Sequence, residues 1–230
     1  MEDKRHWYKG ETLWNHRRKT SEWHFDTDIQ GEDGIKINFI KFAGDWKDEI
    51  ANCEFKQGAP QNLSSYLQRL ATQELIELGV STKTQGLRVN VDPILHPKIH
   101  KMVETFGLEN PYAQILRQMP GEMLPYHIDA ICYDNFKRQE VTKMEDVETD
   151  DKSIRVFVAL EDWCWGHYFL LGNHNWTHWK AGDVIWFNWK DIPHGTANCG
   201  QVPRLLLKIT GRSTDKWEDV FKNSLKTINV

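Results

Sequence analysis

Residues 167–188 read His167-Tyr-Phe-Leu-Leu-Gly-Asn-His-Asn-Trp-Thr-His-Trp-Lys-Ala-Gly-Asp-Val-Ile-Trp-Phe-Asn188. Gly172-Asn173 and Ala181-Gly182 are turn dipeptides. The runs between them are too short for helices and are rich in aromatic and β-branched residues, which favour a pleated surface. The stretch therefore predicts three short strands, near 167–172, 175–180 and 183–188. Outward from it the same punctuation continues, with further strands predicted near 112–118, 123–128, 153–160, 194–198 and 203–210 and turns at Gly121 and Gly200. Eight short strands with regular turns predict a mainly β fold (α+β): a jelly roll, or double-stranded β-helix, flanked by helices. In that architecture strand ends from two sheets surround one mouth, so residues distant in sequence can meet there.

The flanks read differently. Ile35-Lys-Ile-Asn-Phe39 alternates and predicts a strand, in a hairpin of about 22–30 with 35–42 around the turn Gly31-Glu-Asp-Gly34. Leu63, Tyr66, Leu67, Leu70 and Ala71 recur at helical spacing between Pro60 and Gly79. A second helix is expected from Pro97 to just before Gly107, with Ile99, Val103 and Phe106 as its buried stripe. A closing helix over 213–228 would bury Trp217, Val220, Phe221 and Leu225, with Ser213, Thr214 or Asp215 as its cap. The chain then divides as one domain over 1–230: an N-terminal hairpin and supporting helices (1–110), a jelly-roll core (111–211) carrying an insert at 130–152, and a C-terminal helix (212–230). The insert includes the acidic run Lys143-Met-Glu-Asp-Val-Glu-Thr-Asp-Asp151. Long loops inside compact domains are often functional, so it is read as a lid or recognition loop.

Composition excludes several classes. The 230 residues carry a formal net charge of −4 and no long basic run, which argues against a nucleic-acid partner. No run reaches membrane-spanning length, and the polar start Met-Glu-Asp-Lys-Arg-His has no signal-like apolar segment. The cysteines at 53, 132, 164 and 199 form no C-x-x-C pair and read as free thiols. A cytoplasmic protein with no membrane partner is the expectation. Eleven tryptophans are many for this length, and seven of them (163, 165, 176, 179, 186, 189, 217) follow residue 160. They are read mainly as core and sheet packing, with an aromatic wall around a site as the functional alternative.

The chemistry concentrates in His127-Ile-Asp129, Pro193-His194 and Arg204. Residues i and i+2 of a strand share a face, so His127 and Asp129 can reach one ion together, and His194 arrives on a later segment. Two imidazoles and one carboxylate form the facial triad of non-haem Fe(II) oxygenases, which leaves three positions of an octahedral ion open. Arg204 follows His194 by ten positions inside the apolar run Val-Pro-Arg-Leu-Leu-Leu-Lys-Ile. A guanidinium there needs an anion, and a carboxylate co-substrate fits its two-pronged geometry.

These residues resemble the Fe(II)/2-oxoglutarate-dependent dioxygenase superfamily. The resemblance extends to Met119-Pro-Gly-Glu-Met-Leu-Pro-Tyr-His127, to Arg155-Val-Phe-Val-Ala-Leu160, and to Trp179-Lys-Ala-Gly-Asp-Val-Ile-Trp-Phe187. It covers roughly 110–211. Within the superfamily the chain looks most like the aspartyl/asparaginyl β-hydroxylase-like branch, through Arg155 and the Trp-x-x-Gly segment. It differs from that branch in having Asp129, and from many members in having Leu206 where a serine or threonine follows the arginine.

The resemblance implies a cupin-like barrel, Fe(II) on His127, Asp129 and His194, and 2-oxoglutarate with its far carboxylate on Arg204. It implies an oxidoreductase, a dioxygenase or hydroxylase, that uses dioxygen to hydroxylate an unactivated C–H bond, on an amino-acid side chain of a peptide or a free amino acid. Arg155, Gln114 and Gln118 are further candidates for contacting the co-substrate. Tyr126 and Trp165 are candidates for the substrate rim, while His167, His174 and His178 are read as structural or rim residues. Three alternatives stay open: the same cofactors with a small-metabolite substrate, a cupin-like metal protein that does not use 2-oxoglutarate, and a non-catalytic jelly roll binding carbohydrate on its tryptophans.

Overall fold

The computed structural model describes residues 34–57, 86–127, 152–172, 174–189, 192, 194–223 and 226–230, and of 125–127 the backbone alone. In chain order its elements are β1 (Ile35–Ala43), α1 (Lys47–Ala51), β2 (Lys56–Gln57), β3 (Leu87–Asn90), α2 (Pro97–Thr105), β4 (Glu109–Gln118), β5 (Met123–His127) and β6 (Ser153–Ala159). There follow β7 (His167–Leu171), β8 (His174–Trp176), β9 (Asp183–Phe187), β10 (His194–Asn198), β11 (Arg204–Arg212), α3 (Asp215–Asn223) and β12 (Lys226–Asn229).

The strands form two sheets, one ordered β12-β1-β9-β6-β11-β4-β3-β2 and one ordered β5-β10-β7-β8. Eight of them, β4 to β11, divide evenly between the sheets, with β4, β6, β9 and β11 in the larger and β5, β7, β8 and β10 in the smaller. All pairings among these eight are antiparallel. The order β4-β11-β6-β9 facing β5-β10-β7-β8 is that of a double-stranded β-helix, as the strand spacing predicts. β1, β12, β3 and β2 widen the larger sheet at its edges.

Alternation divides the larger sheet into two faces, each with its own apolar cluster. The outer face contributes Ile115, Val156, Val158, Val184, Leu205, Leu207 and Ile209, and packs with Ile99, Met102 and Val103 of α2 and Trp217 and Phe221 of α3. The inner face contributes Phe157, Ala159, Ile185, Phe187 and Leu206, which meet Phe169, Leu171 and Trp176 of the smaller sheet. The rings of Phe157 and Phe169 lie 5.0 Å apart, edge to face, a favoured aromatic geometry.

Local chemistry sets the element ends. Pro97 opens α2, and the Glu49 carboxylate of α1 accepts from the backbone N–H of Lys98 and Ile99 at 2.9 and 3.1 Å. A carboxylate there meets donors the helix cannot satisfy itself and the positive end of its dipole. At α3 the cap is Thr214, whose Oγ1 accepts from Trp217 N at 3.2 Å. Gly182 sits at φ +87°, and a Cβ would come within 1.9 Å of the Phe42 carbonyl oxygen, so no other residue fits this turn without backbone movement.

One expectation changes. The closing helix ends at Asn223, and residues 226–229 instead form β12, which pairs parallel to β1. Chain returning to β1 finds an unpaired edge of backbone groups there, and helical periodicity says nothing about that opportunity. β1 is a strand as expected, and among the described residues it pairs with β9 and β12. The expected partner strand at 22–30, the helix at 60–79 and the insert at 130–152 lie outside the described residues, apart from Lys152. Among the described residues no helix is long and apolar enough to cross a membrane. None of the three described cysteines, Cys53, Cys164 and Cys199, is in a disulfide.

Candidate functional site

His194 opens β10, and its Cα partners are His127 at the end of β5 on one side and Leu171 on the other. His174 of β8 is in turn the partner of Leu171. The two histidines singled out from the sequence thus stand opposite each other on neighbouring strands, where facing residues are about 4.5–5.5 Å apart. His127's side chain, Asp129 and Pro193 lie outside the described residues, as does the side chain of Tyr126. Among the described residues no three His, Cys, Asp or Glu side chains gather into a metal-holding group.

The His194 side chain is buried, with its ring 4.9 Å from that of Phe187. Its Nδ1 is 3.0 Å from the Ile192 carbonyl oxygen. A proton on Nδ1 makes that contact a hydrogen bond and places the ring's lone pair on Nε2, the arrangement that orients many metal-ligating imidazoles. Burial pushes its pKa down to about 3, against the opposing effect of the Ile192 carbonyl, with Arg155 adding a smaller push downward. The imidazole is neutral at ordinary pH, as a metal ligand must be.

Arg204 opens β11 and is 6% exposed. Its Nη1 donates to the Tyr168 carbonyl oxygen at 2.6 Å, and its guanidinium carbon is 5.9 Å from the centre of the Phe169 ring. Its Nε is buried without a partner among the described residues, where no carboxylate pairs with this guanidinium either. Burial lowers its pKa to about 9, so it remains a cation near neutral pH. A buried cation without a counter-anion is costly, and an incoming carboxylate would relieve that cost. The donor set therefore fits the far carboxylate of 2-oxoglutarate.

Gln118 is the Cα partner of Arg204. Its Nε2 donates to Thr196 Oγ1 at 3.1 Å, and its Oε1 is buried without a partner among the described residues. Thr196 is missed by the sequence reading. It lies two residues after His194 on β10 and brings a hydroxyl from the opposite sheet to Gln118, the strand partner of Arg204. Leu206, in the expected hydroxyl position, is instead part of the inner apolar cluster. Pairing between strands far apart in sequence is what reveals Thr196, and no local signal marks it.

The other candidates spread out. Gln114 faces Lys208 rather than Arg204, and its amide nitrogen donates to Asn90 Oδ1 at 3.0 Å and to the Tyr112 hydroxyl at 2.7 Å. Arg155 is the partner of Thr210, six residues along β11 from Arg204, or about 20 Å at strand rise. Its Nε donates to Thr210 Oγ1 at 3.3 Å, its guanidinium carbon is 4.5 Å from the centre of the Trp189 ring, and burial lowers its pKa to about 10. Trp165 is 82% exposed, stands edge-on to Trp163 at 5.1 Å, and precedes Gly166, whose carbonyl accepts from Cys199 N just past the end of β10. It lies at the far end of β10 from His194 and does not join that group. His167 is buried, with Nε2 3.0 Å from the Val202 carbonyl oxygen, and His178 stacks on Trp163 at 4.2 Å.

No family model matches the chain, and no curated protein matches it. Among solved structures it is similar to a prolyl-4-hydroxylase of Pseudomonas putida, at 17% identity and a TM-score of 0.41 over 74% of this chain and 97% of that one. It is similar to a viral collagen prolyl hydroxylase of Paramecium Bursaria Chlorella virus-1, in complex with 2OG, at 14% identity and a TM-score of 0.41 over 62% and 88%. It is also similar to HygX of Streptomyces hygroscopicus with nickel and 2-oxoglutarate bound, at 15% identity and a TM-score of 0.39 over 56% and 70%. By its own strand order the chain is a double-stranded β-helix.

Proposed function

We propose that this chain is an Fe(II)- and 2-oxoglutarate-dependent oxygenase that hydroxylates an unactivated C–H bond, on the side chain of a free amino acid or of a residue in a peptide. The observation that carries this is the opposition of His194 and His127 on neighbouring strands, with Arg204 buried and lacking an anion farther along the same interior. A jelly roll built for packing alone would have no reason to bury that guanidinium.

His127, Asp129 and His194 would hold the metal. Arg204 would bind the far carboxylate of 2-oxoglutarate, and Thr196 and Gln118 lie where they could complete its hydrogen bonds. Once bound, iron and 2-oxoglutarate supply oxidising power that no protein side chain has. The chain itself binds, orients and excludes water. The Ile192 carbonyl fixes the His194 ring, and Phe187 and Phe169 give the interior apolar walls. Arg155, close enough to His194 for its charge to be felt there, is a candidate for the second carboxylate of the co-substrate.

The test is turnover of labelled 2-oxoglutarate by the full chain with Fe(II) over a panel of amino acids and peptides. Release of labelled carbon dioxide coupled to substrate, and lost in His194→Ala, supports the reading. Metal binding without any use or binding of 2-oxoglutarate would replace it with that of a cupin-like metal protein.

A further inference from the structure

At the start of β11 two side chains cross the interior side by side. Gln118 and Arg204 are Cα partners on the larger sheet. The tip of Gln118 reaches Thr196 of β10, and the tip of Arg204 reaches the Tyr168 carbonyl of β7. Those landing points adjoin, because Ala197, next to Thr196, is the Cα partner of Tyr168. Both residues are 6% exposed. Each carries one buried atom with no partner among the described residues: Arg204 Nε, a donor, and Gln118 Oε1, an acceptor. The backbone of Gln118 is pinned, since its carbonyl accepts from Asn198 Nδ2 at 2.9 Å. The side-chain amide is the part left to turn.

A carboxylate accepts hydrogen bonds and donates none. Brought against Arg204, it would meet a guanidinium that attracts it and a glutamine oxygen that repels it. Half a turn of the Gln118 amide removes that conflict. The last torsion of a glutamine is broad and nearly two-fold, so the turn itself strains little. Nε2 would then donate to the carboxylate, in a charge-assisted bond stronger than the one to Thr196 that it gives up. Oε1 would take its place against Thr196, whose hydroxyl accepts in one arrangement and donates in the other. Both atoms that lack partners are satisfied in this way, Arg204 Nε by the carboxylate and Gln118 Oε1 by the hydroxyl.

We propose that Gln118 is the second donor to the far carboxylate of 2-oxoglutarate, delivered by a half-turn of its amide about the Thr196 hydroxyl. The inference rests on the oxygenase reading and adds how the end group is recognised. It replaces, from another strand, the hydroxyl that Leu206 does not supply. Thr196 acts through Gln118, accepting from it before the turn and donating to it afterwards. A co-substrate with a neutral, apolar end has no charge to drive the turn and gains nothing from Gln118.

The experiment uses the full chain with Mn(II) under argon, and measures by calorimetry the binding of 2-oxoglutarate and of 2-oxopentanoate, which lacks the far carboxylate. The parent should prefer 2-oxoglutarate. Gln118→Met, similar in size but without the amide, should bind 2-oxoglutarate about ten- to a hundredfold more weakly, the worth of one hydrogen bond to a charged group. It should bind 2-oxopentanoate as the parent does. Gln118→Glu should lose more, since its carboxylate has no donor to turn toward the ligand and competes for Arg204. Mn(II) affinity equal to the parent's marks both variants as folded. A parent without preference for 2-oxoglutarate would overturn the oxygenase reading and this inference with it. A preference that Gln118→Met keeps in full would overturn the inference alone, and so would equal losses for the two ligands, which would reduce Gln118 to packing. If the variants fail to fold, crystals of the parent with Mn(II) and 2-oxoglutarate decide. A Gln118 amide within hydrogen-bonding distance of the far carboxylate supports the inference, and one bonded to Thr196 alone overturns it.

Discussion

The two faces of β11 belong to one strand and have opposite chemistry. Leu205, Leu207 and Ile209 point outward into the cluster under α2 and α3, at 4%, 0% and 0% exposure. Arg204, Leu206, Lys208 and Thr210 point inward, and among these only Leu206 belongs to an apolar cluster. The outer face is satisfied by its neighbours as it stands. On the inner face the folded chain leaves two cations without a carboxylate among the described residues, which lowers stability unless something binds. Apolar packing and buried charge are thus divided between alternate residues of one element.

The sharpest way to break this comparison is at Arg204. Arg204→Lys keeps the charge but loses the parallel N–H pair that grips a carboxylate, and disrupting a buried charged pair typically costs roughly 3–5 kcal/mol. We expect 2-oxoglutarate affinity to fall by about two to four decades while metal affinity holds. Separate titrations of metal and co-substrate check this, and unchanged 2-oxoglutarate binding would end the assignment of Arg204.

Leu207→Ala tests the other face. Removing a buried leucine side chain from a well-packed core costs about 2–5 kcal/mol. Denaturant unfolding should show that loss, and a folded variant should bind metal and co-substrate as the parent does. A binding defect in folded Leu207→Ala would mean that the faces are not separable.

A smaller effect is expected from Thr196→Val, which keeps the shape and removes the hydroxyl bonded to Gln118. If that hydroxyl helps to hold the carboxylate, 2-oxoglutarate affinity should fall by about 1 kcal/mol, the ordinary worth of one hydrogen bond. Affinity equal to the parent's would return Thr196 to a purely structural role.

A last test sharpens the inner face through pH. The folded pKa of Lys208 is lowered to about 7, whereas an unfolded lysine titrates near 10.4. Between these values the unfolded chain binds more protons, so in the ligand-free protein stability should rise with pH across that window, by at most ~1.36 kcal/mol per pH unit from this residue. The destabilisation is full below about pH 7. Subtracting the Lys208→Met curve isolates the contribution, and parallel curves would mean that Lys208 has a partner in solution.

Much of this was legible in the chain. Turn dipeptides and short aromatic runs gave the jelly-roll strands, because a strand's alternation and its breakers are local. Pro97 and the Ile99–Val103 spacing gave α2, and Thr214 was among the cap residues expected for α3. At the site, order along the chain suggested His127, His194 and Arg204 as a group. The strand register adds that the two histidines stand opposite each other, while Asp129 lies beyond the described residues. Spacing along the chain gave no means to separate Gln118, which adjoins Arg204, from Gln114, which adjoins Lys208.

What the sequence determined by itself, then, is whatever depends on neighbours in the chain: strand and turn identity, helix caps, and a run of apolar residues interrupted by Arg204 and Lys208. What only the tertiary structure decided depends on which strands pair. The hydroxyl of Thr196 reaches Gln118 across 78 positions, Trp165 lies at the wrong end of β10, and residues 226–229 leave helix for the edge of β1. Side chains two residues apart on a strand share a face whatever the fold, but which other side chains share it is set by the register of strands that the sequence brings together only through a common core.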